Sequence, residues 1–275
     1  MRYESLIIFL NRRCPVGCAT CNADAQPTNN VELNPLWLAD FFRKLRQEPL
    51  PFSGYILWTG GEPFYSFPSL MVGLDLAASA GYSSEILTSG IWFKSVPDYL
   101  SALAAPFKPR LRISLDAEHQ EQVPVSLLIS LIREAVALGL EVNFTLREIP
   151  GRLENSPRQS LEIIKQQLPR FYAENMLRSR WLHVIPHFPL TDPKPQSVAR
   201  LSCRMAFRDL VIGEDGLVYP CCGFFSLPAQ QRPIVGNALV INNESILDFR
   251  ARHHFYAPCQ FCISGRDVAL DSLPS

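Results

Sequence analysis

Cys14-Pro15-Val16-Gly17-Cys18-Ala19-Thr20-Cys21 follows directly on the apolar run Leu6-Ile7-Ile8-Phe9-Leu10. Three thiols fall within eight residues, separated first by three residues and then by two. An odd number cannot close into a set of disulfides. Three is also one short of the four thiolates of a tetrahedral zinc site or a closed cubane. Three thiolates on a tight loop do suit a 4Fe–4S cluster whose fourth iron stays open to a small-molecule ligand. The plain alternative is three unrelated buried thiols.

Outward from this loop, the composition narrows the field. The chain has 275 residues and is 47% hydrophobic, enough for one large domain or for one domain with an appendage. Lys plus Arg and Asp plus Glu are equal at 26 each, so no global field favours nucleic acid or a membrane surface. The run at 6–10 is too short for a signal peptide's apolar region or a membrane span. The expectation is a soluble cytoplasmic protein. Eight cysteines in such a chain argue for metal or redox chemistry rather than a disulfide framework.

Strand signals fall at residues 5–10, 55–58, 85–87, 111–115, 141–146 and 181–185. Helical periodicity lies between them at 36–45, 68–80, 125–138 and 160–174. Asn34 and Pro35 read as the N-cap and first position of the first helix, and Gly81 as a C-terminal stop for the second. The alternation predicts an α/β protein with a parallel sheet and helical crossovers, a partial (β/α)6 TIM-like barrel over residues 1–190. Pro-rich sequence between Pro186 and Arg200 leads into a small α+β domain over 191–275. There Gly213-Glu214-Asp215-Gly216 is a hairpin signal between two short apolar runs. A last helix is expected near Ser245.

Five cysteines lie in that domain: Cys203, Cys221, Cys222, Cys259 and Cys262. The pair Cys259-x2-Cys262 alone is compatible with zinc, an iron–sulfur cluster or a redox dithiol. Cys203 precedes the hairpin and Cys221 ends it, so four thiolates from two loops and a terminal pair can form a closed site. Cys222 is left as a packed thiol, a ligand in place of Cys221, or a hydrogen-atom donor.

The spacing of Cys14, Cys18 and Cys21 resembles that of the radical S-adenosylmethionine (SAM) superfamily. Gly60-Gly61-Glu62-Pro63, after the second strand, is similar to that family's glycine-rich motif. The spacing of Cys203, Gly216, Cys221, Cys259 and Cys262 resembles a Twitch domain, a shortened SPASM domain with one auxiliary 4Fe–4S cluster. In layout the chain looks like the aminocyclitol dehydrogenases of antibiotic biosynthesis. The resemblance implies that Cys14, Cys18 and Cys21 hold a cluster whose open iron binds SAM. It implies that the glycines let backbone approach the ligand and that Glu62 meets the SAM ammonium. Thr88 and Ser89 match the family's ribose pair, Ser114 and Asp116 its polar contacts, and Arg147 a clamp for the SAM carboxylate. Thr20 departs from the pattern, because the family usually carries an aromatic residue there.

The implied chemistry is reductive cleavage of SAM to a 5′-deoxyadenosyl radical, followed by abstraction of a hydrogen atom from a small-molecule substrate. Oxidation, with the auxiliary cluster taking an electron, is the first expectation. It needs a base, for which His183, His187, Glu118 and Arg152 are nominees. Epimerisation with Cys222 as hydrogen-atom donor is the second. Modification of a peptide is the third, disfavoured by a first barrel strand that starts at the N-terminus. An electron donor such as flavodoxin or ferredoxin is the implied partner.

Overall fold

The computed structural model describes residues 3–19, 21, 23–50, 52, 54–148, 156–176, 183–186, 209–221 and 232–252. Thr20, Arg152, His187, Cys203, Cys222, Cys259 and Cys262 lie outside the described residues.

Six strands form the barrel wall: β1 (Ser5–Phe9), β2 (Tyr55–Thr59), β3 (Ser83–Thr88), β4 (Arg110–Leu115), β5 (Val142–Glu148) and β6 (His183–Pro186). They pair in sequence order and all run parallel, as the alternation of elements requires. The crossovers are α1 (Pro35–Gln47), α2 (Phe67–Ser79), α3 (Tyr99–Ala104), α4 (Ala117–Gln122), α5 (Val125–Ala137), α6 (Pro157–Gln167) and α7 (Pro169–Met176). The α/β partial barrel read from the sequence is therefore present.

Local signals set the helix ends. The Asn34 side chain accepts from the Leu36 N–H at 2.8 Å, with Pro35 at the first helical position of α1. Gly81 closes α2 at φ +78°. One helix departs from expectation. The stretch 160–174 is not continuous, because Pro169 lacks the N–H to extend α6 and opens α7 instead. The helices α3 and α4 are six residues each, too short to show a helical period, and the sequence pattern does not reveal them.

Alternation along the strands sorts the sheet into two faces. Leu6, Ile8, Ile56, Trp58, Ile86, Leu111, Ile113 and Phe144 pack with Leu38, Phe42, Leu70, Leu128 and Ile132 of the helices. Ile7, Phe9, Leu57 and Val211 line the other face, where Arg112 of β4 donates to Glu85 of β3 at 2.5 Å.

The hairpin predicted around Gly213–Gly216 exists, as β7 (Asp209–Ile212) antiparallel to β8 (Leu217–Tyr219). Beyond expectation, β7 pairs in parallel with β1, so the C-terminal segment extends the barrel sheet. Then follow β9 (Gly236–Asn237) and α8 (Asn243–Arg252). Among the described residues, no helix is long and apolar enough to cross a membrane.

Candidate active site at the carboxyl ends of the strands

Past Phe9 the chain keeps pairing with the segment that follows β2. Leu10 donates to Thr59 O at 2.8 Å, Gly61 to Asn11 O at 2.8 Å and Glu62 to Arg13 O at 2.8 Å. The cysteine loop folds back over this ladder. Arg12 N–H meets Val31 O at 3.1 Å, Gln26 N–H meets Arg12 O at 3.0 Å and Cys14 N–H meets Gln26 O at 3.2 Å. Gly17 turns the chain at φ +61°. Cys14 is buried, Cys18 and Cys21 are half-buried, and all three are reduced.

The loop is hostile to bare thiolates. Burial pushes the Cys14 thiol up to about 12, and the nearby Glu62 charge adds to the rise. Burial and then the Asp116 charge push Cys18 up as well. Without a cation these sulfurs keep their protons, and metal binding would have to displace them.

Gly60 and Gly61 serve the contact between the two loops. Gly60 sits at φ +135°, and a Cβ there would stand 2.9 Å from Asn11 N and overlap its carbonyl oxygen. A Cβ on Gly61 would overlap the Arg13 carbonyl and stand 2.8 Å from its nitrogen. The close approach visible here is to the backbone leading into the cysteine loop. Asn11 completes the joint, donating to Glu62 O at 3.1 Å and to Ser66 Oγ at 2.7 Å.

Glu62 is fully buried and its carboxylate faces the end of β3. It accepts from Thr88 Oγ1 at 2.8 Å, Ser89 N at 2.9 Å and Ser89 Oγ at 2.5 Å. Burial raises its carboxyl, and the bonds from Ser89 and Thr88 oppose that rise. Thr88 Oγ1 also accepts from Gly90 N at 3.0 Å and from the buried indole of Trp92 at 2.9 Å. Every bonding position of that hydroxyl is used. Thr88→Val should therefore orphan two buried N–H groups and take one donor from the Glu62 carboxylate. We expect a loss of about 2 to 4 kcal/mol in a urea titration of the cluster-free chain, whereas a solvated threonine would cost almost nothing.

A second polar cluster caps β4 and β5. Asp116, the N-cap of α4, accepts from His119 N at 3.0 Å and pairs with His119 Nδ1 at 2.8 Å. Arg147, at the end of β5, donates Nε to Asp116 at 3.1 Å and Nη2 to Glu118 at 3.0 Å. His119 stands beside the cysteine loop, with Cys18 Sγ 3.9 Å from Nδ1 and 4.0 Å from Nε2. The sequence reading missed His119, although an Asp N-cap followed three residues later by His was the available signal. Gln120 closes the cluster: its Oε1 accepts from Asp116 N at 2.7 Å, and its buried Nε2 has no partner among the described residues.

Burial alone would raise the Asp116 carboxyl, but the His119 hydrogen bonds and the His119 and Arg147 charges hold it well below the usual range. A depressed folded-state value gives stability above the unfolded value, and that stability is lost as pH falls below it. D116N should thus cost about 2 to 3 kcal/mol at pH 7, a gap to wild type that narrows below about pH 4. Parallel urea titrations at the two pH values check this; a gap independent of pH would refute it.

Ser114 lies half-buried on β4, in register with Thr145 of β5, which in turn is in register with His183 of β6. The structure thus gathers Cys14, Cys18, Cys21, Glu62, Thr88, Ser89, Asp116 and Arg147 at the carboxyl ends of the strands, where this architecture places its chemistry. Among the described residues, no three His, Cys, Asp or Glu side chains converge on one point as ligands of a single ion. A polynuclear cluster makes no such demand, since each thiolate binds a different iron. The donor set of the loop, three reduced cysteines, fits that kind of group.

No known family pattern and no curated protein matches the chain. Solved structures do. BtrN in complex with AdoMet and 2-DOIA is 17% identical, with a TM-score of 0.57 over 98% of this chain and 99% of BtrN. Native anSMEcpe with bound AdoMet and Cp18Cys peptide is 15% identical, with a TM-score of 0.53 over 94% of this chain and 82% of anSMEcpe. Along nearly its whole length, this chain has the fold of BtrN and anSMEcpe.

Proposed function

We propose that the chain is a radical SAM enzyme that oxidises a small molecule. The observation that carries this is the joint between the two loops: the backbone of Gly61 and Glu62 is hydrogen-bonded to Asn11 and Arg13, directly ahead of Cys14. That joint holds the Gly60–Pro63 segment beside the start of the loop whose Cys14, Cys18 and Cys21 would hold the cluster. Cys14, Cys18 and Cys21 would hold a 4Fe–4S cluster, which when bound and reduced would supply the electron for cleavage of AdoMet and so the means of hydrogen-atom abstraction from the substrate.

The chain's own residues do the rest. Glu62 ties the glycine segment to the end of β3 through Thr88 and Ser89 and, by its own N–H, to Arg13 ahead of the cysteine loop. Asp116 and Glu118 hold the Arg147 fork at the end of β5, where it can orient a carboxylate. Cys203, Cys221, Cys259 and Cys262 would hold an auxiliary cluster able to accept the electron left on the substrate, and His183 or His187 would serve as the base for the proton. The like-for-like length match to BtrN, whose structure contains AdoMet and 2-DOIA, supports a small-molecule substrate over a peptide.

The test is anaerobic reconstitution followed by iron and sulfide analysis, then incubation with AdoMet and a one-electron reductant. The expected result is about eight irons per chain and formation of 5′-deoxyadenosine. About four irons would remove the auxiliary cluster, and absence of 5′-deoxyadenosine would remove the reading itself.

A further inference from the structure

One set of buried charges belongs to neither cysteine group. Arg12, two residues before Cys14, sends its Nε to Glu214 Oε1 in the turn between β7 and β8. Both side chains are more than nine-tenths buried, and Glu214 Oε2 has no hydrogen-bond partner among the described residues. Arg12 Nη1 also stands 3.6 Å from Asp24, on the returning limb of the cysteine loop, and Arg232 reaches the same carboxylate at 3.8 Å. The hairpin whose turn Glu214 occupies leads, two residues past Tyr219, to Cys221. Gly216, at the other end of the turn, lies against the Trp37 indole of α1, where a Cβ would be 2.7 Å from Nε1.

A buried Arg–carboxylate pair is a poor source of stability, because desolvation cancels most of its attraction and an apolar pair of like volume does as well. What such a pair supplies is direction. The planar fork accepts a carboxylate in few orientations, so the two backbones that carry the charges are held in one relation.

We propose that Arg12 and Glu214 form a strut that sets the distance and orientation between the loop of Cys14, Cys18 and Cys21 and the hairpin ending at Cys221, and thereby between two iron–sulfur centres. This rests on the reading that Cys221 serves a second cluster. Arg12 and Glu214 are positioning residues. Neither is a ligand, and each acts through the cysteines that follow it.

The test is the double variant Arg12→Met/Glu214→Leu in the full, reconstituted chain. The expected result is a melting temperature and an iron content matching wild type. The magnetic interaction between the two reduced clusters should weaken in the EPR spectrum. Product formed per AdoMet cleaved should fall about tenfold, the size of effect typical of residues behind a metal ligand. An unchanged interaction and an unchanged product ratio would overturn the strut, leaving the pair as mere packing. Wild type holding about four irons would instead overturn the two-cluster reading on which the strut rests. Should the double variant not fold, Arg12→Lys decides by the same two readouts, since it keeps the charge and loses the fork.

Discussion

Replacing Gly61 by alanine should destabilise the chain by more than about 3 kcal/mol and abolish cluster retention. The added Cβ would overlap the Arg13 carbonyl carbon and oxygen and press on the nitrogen as well. These are backbone atoms, and no rotamer can move them aside. Either the Gly61–Asn11 and Glu62–Arg13 hydrogen bonds break or the cysteine loop shifts. Both outcomes disturb the start of the loop that carries Cys14. The comparison variant is Gly139→Ala, where a Cβ meets nothing within 4 Å and only the left-handed φ of +76° resists. That change should cost about 1 kcal/mol. Thermal unfolding of the cluster-free chains measures the difference, since 1 kcal/mol corresponds to about 2 to 4 °C at this size. Equal melting temperatures for the two variants would show that the loops do not meet as closely as described.

Cys18→Ala carries the largest effect on activity. The thiol is half-buried, and burial together with the Asp116 charge keeps it protonated in the cluster-free chain. Removing a neutral, half-buried sulfur should therefore cost less than about 1 kcal/mol. With fold intact, the reconstituted variant should lose about four irons and all 5′-deoxyadenosine formation, more than a hundredfold below wild type, beyond the roughly 10- to 100-fold seen for outer partners of a metal ligand. Cys221→Ala should behave differently. It should lose the other irons, keep AdoMet cleavage and lose substrate oxidation. Should Cys18→Ala still form 5′-deoxyadenosine at the wild-type rate, the cysteine loop is not the cluster site.

Much of this was readable in one dimension. Strand and helix periods are local, so the positions of the six strands, the Asn34 cap, the Gly81 stop and the β7–β8 turn follow from neighbours within a few residues, and the alternation of strand and helix makes the strands parallel. The three-thiol spacing is local too, and by itself it narrows the chemistry. The break at Pro169 was equally local, and the apolar period on either side of it hid it.

Contacts between distant segments were not readable. Gly60 and Gly61 lie some fifty residues from Asn11 and Arg13, and their need for a missing side chain comes from sheet register, which no motif records. His119 beside Cys18, Thr88 locked between Glu62 and Trp92, and Arg12 paired with Glu214 are of the same kind. The composition and motifs of the chain establish an α/β barrel with a loop of three thiols. Which polar groups surround that loop, and which backbone it leans on, follow from strands brought side by side, because hydrogen bonds and buried charges select their partners by distance in space.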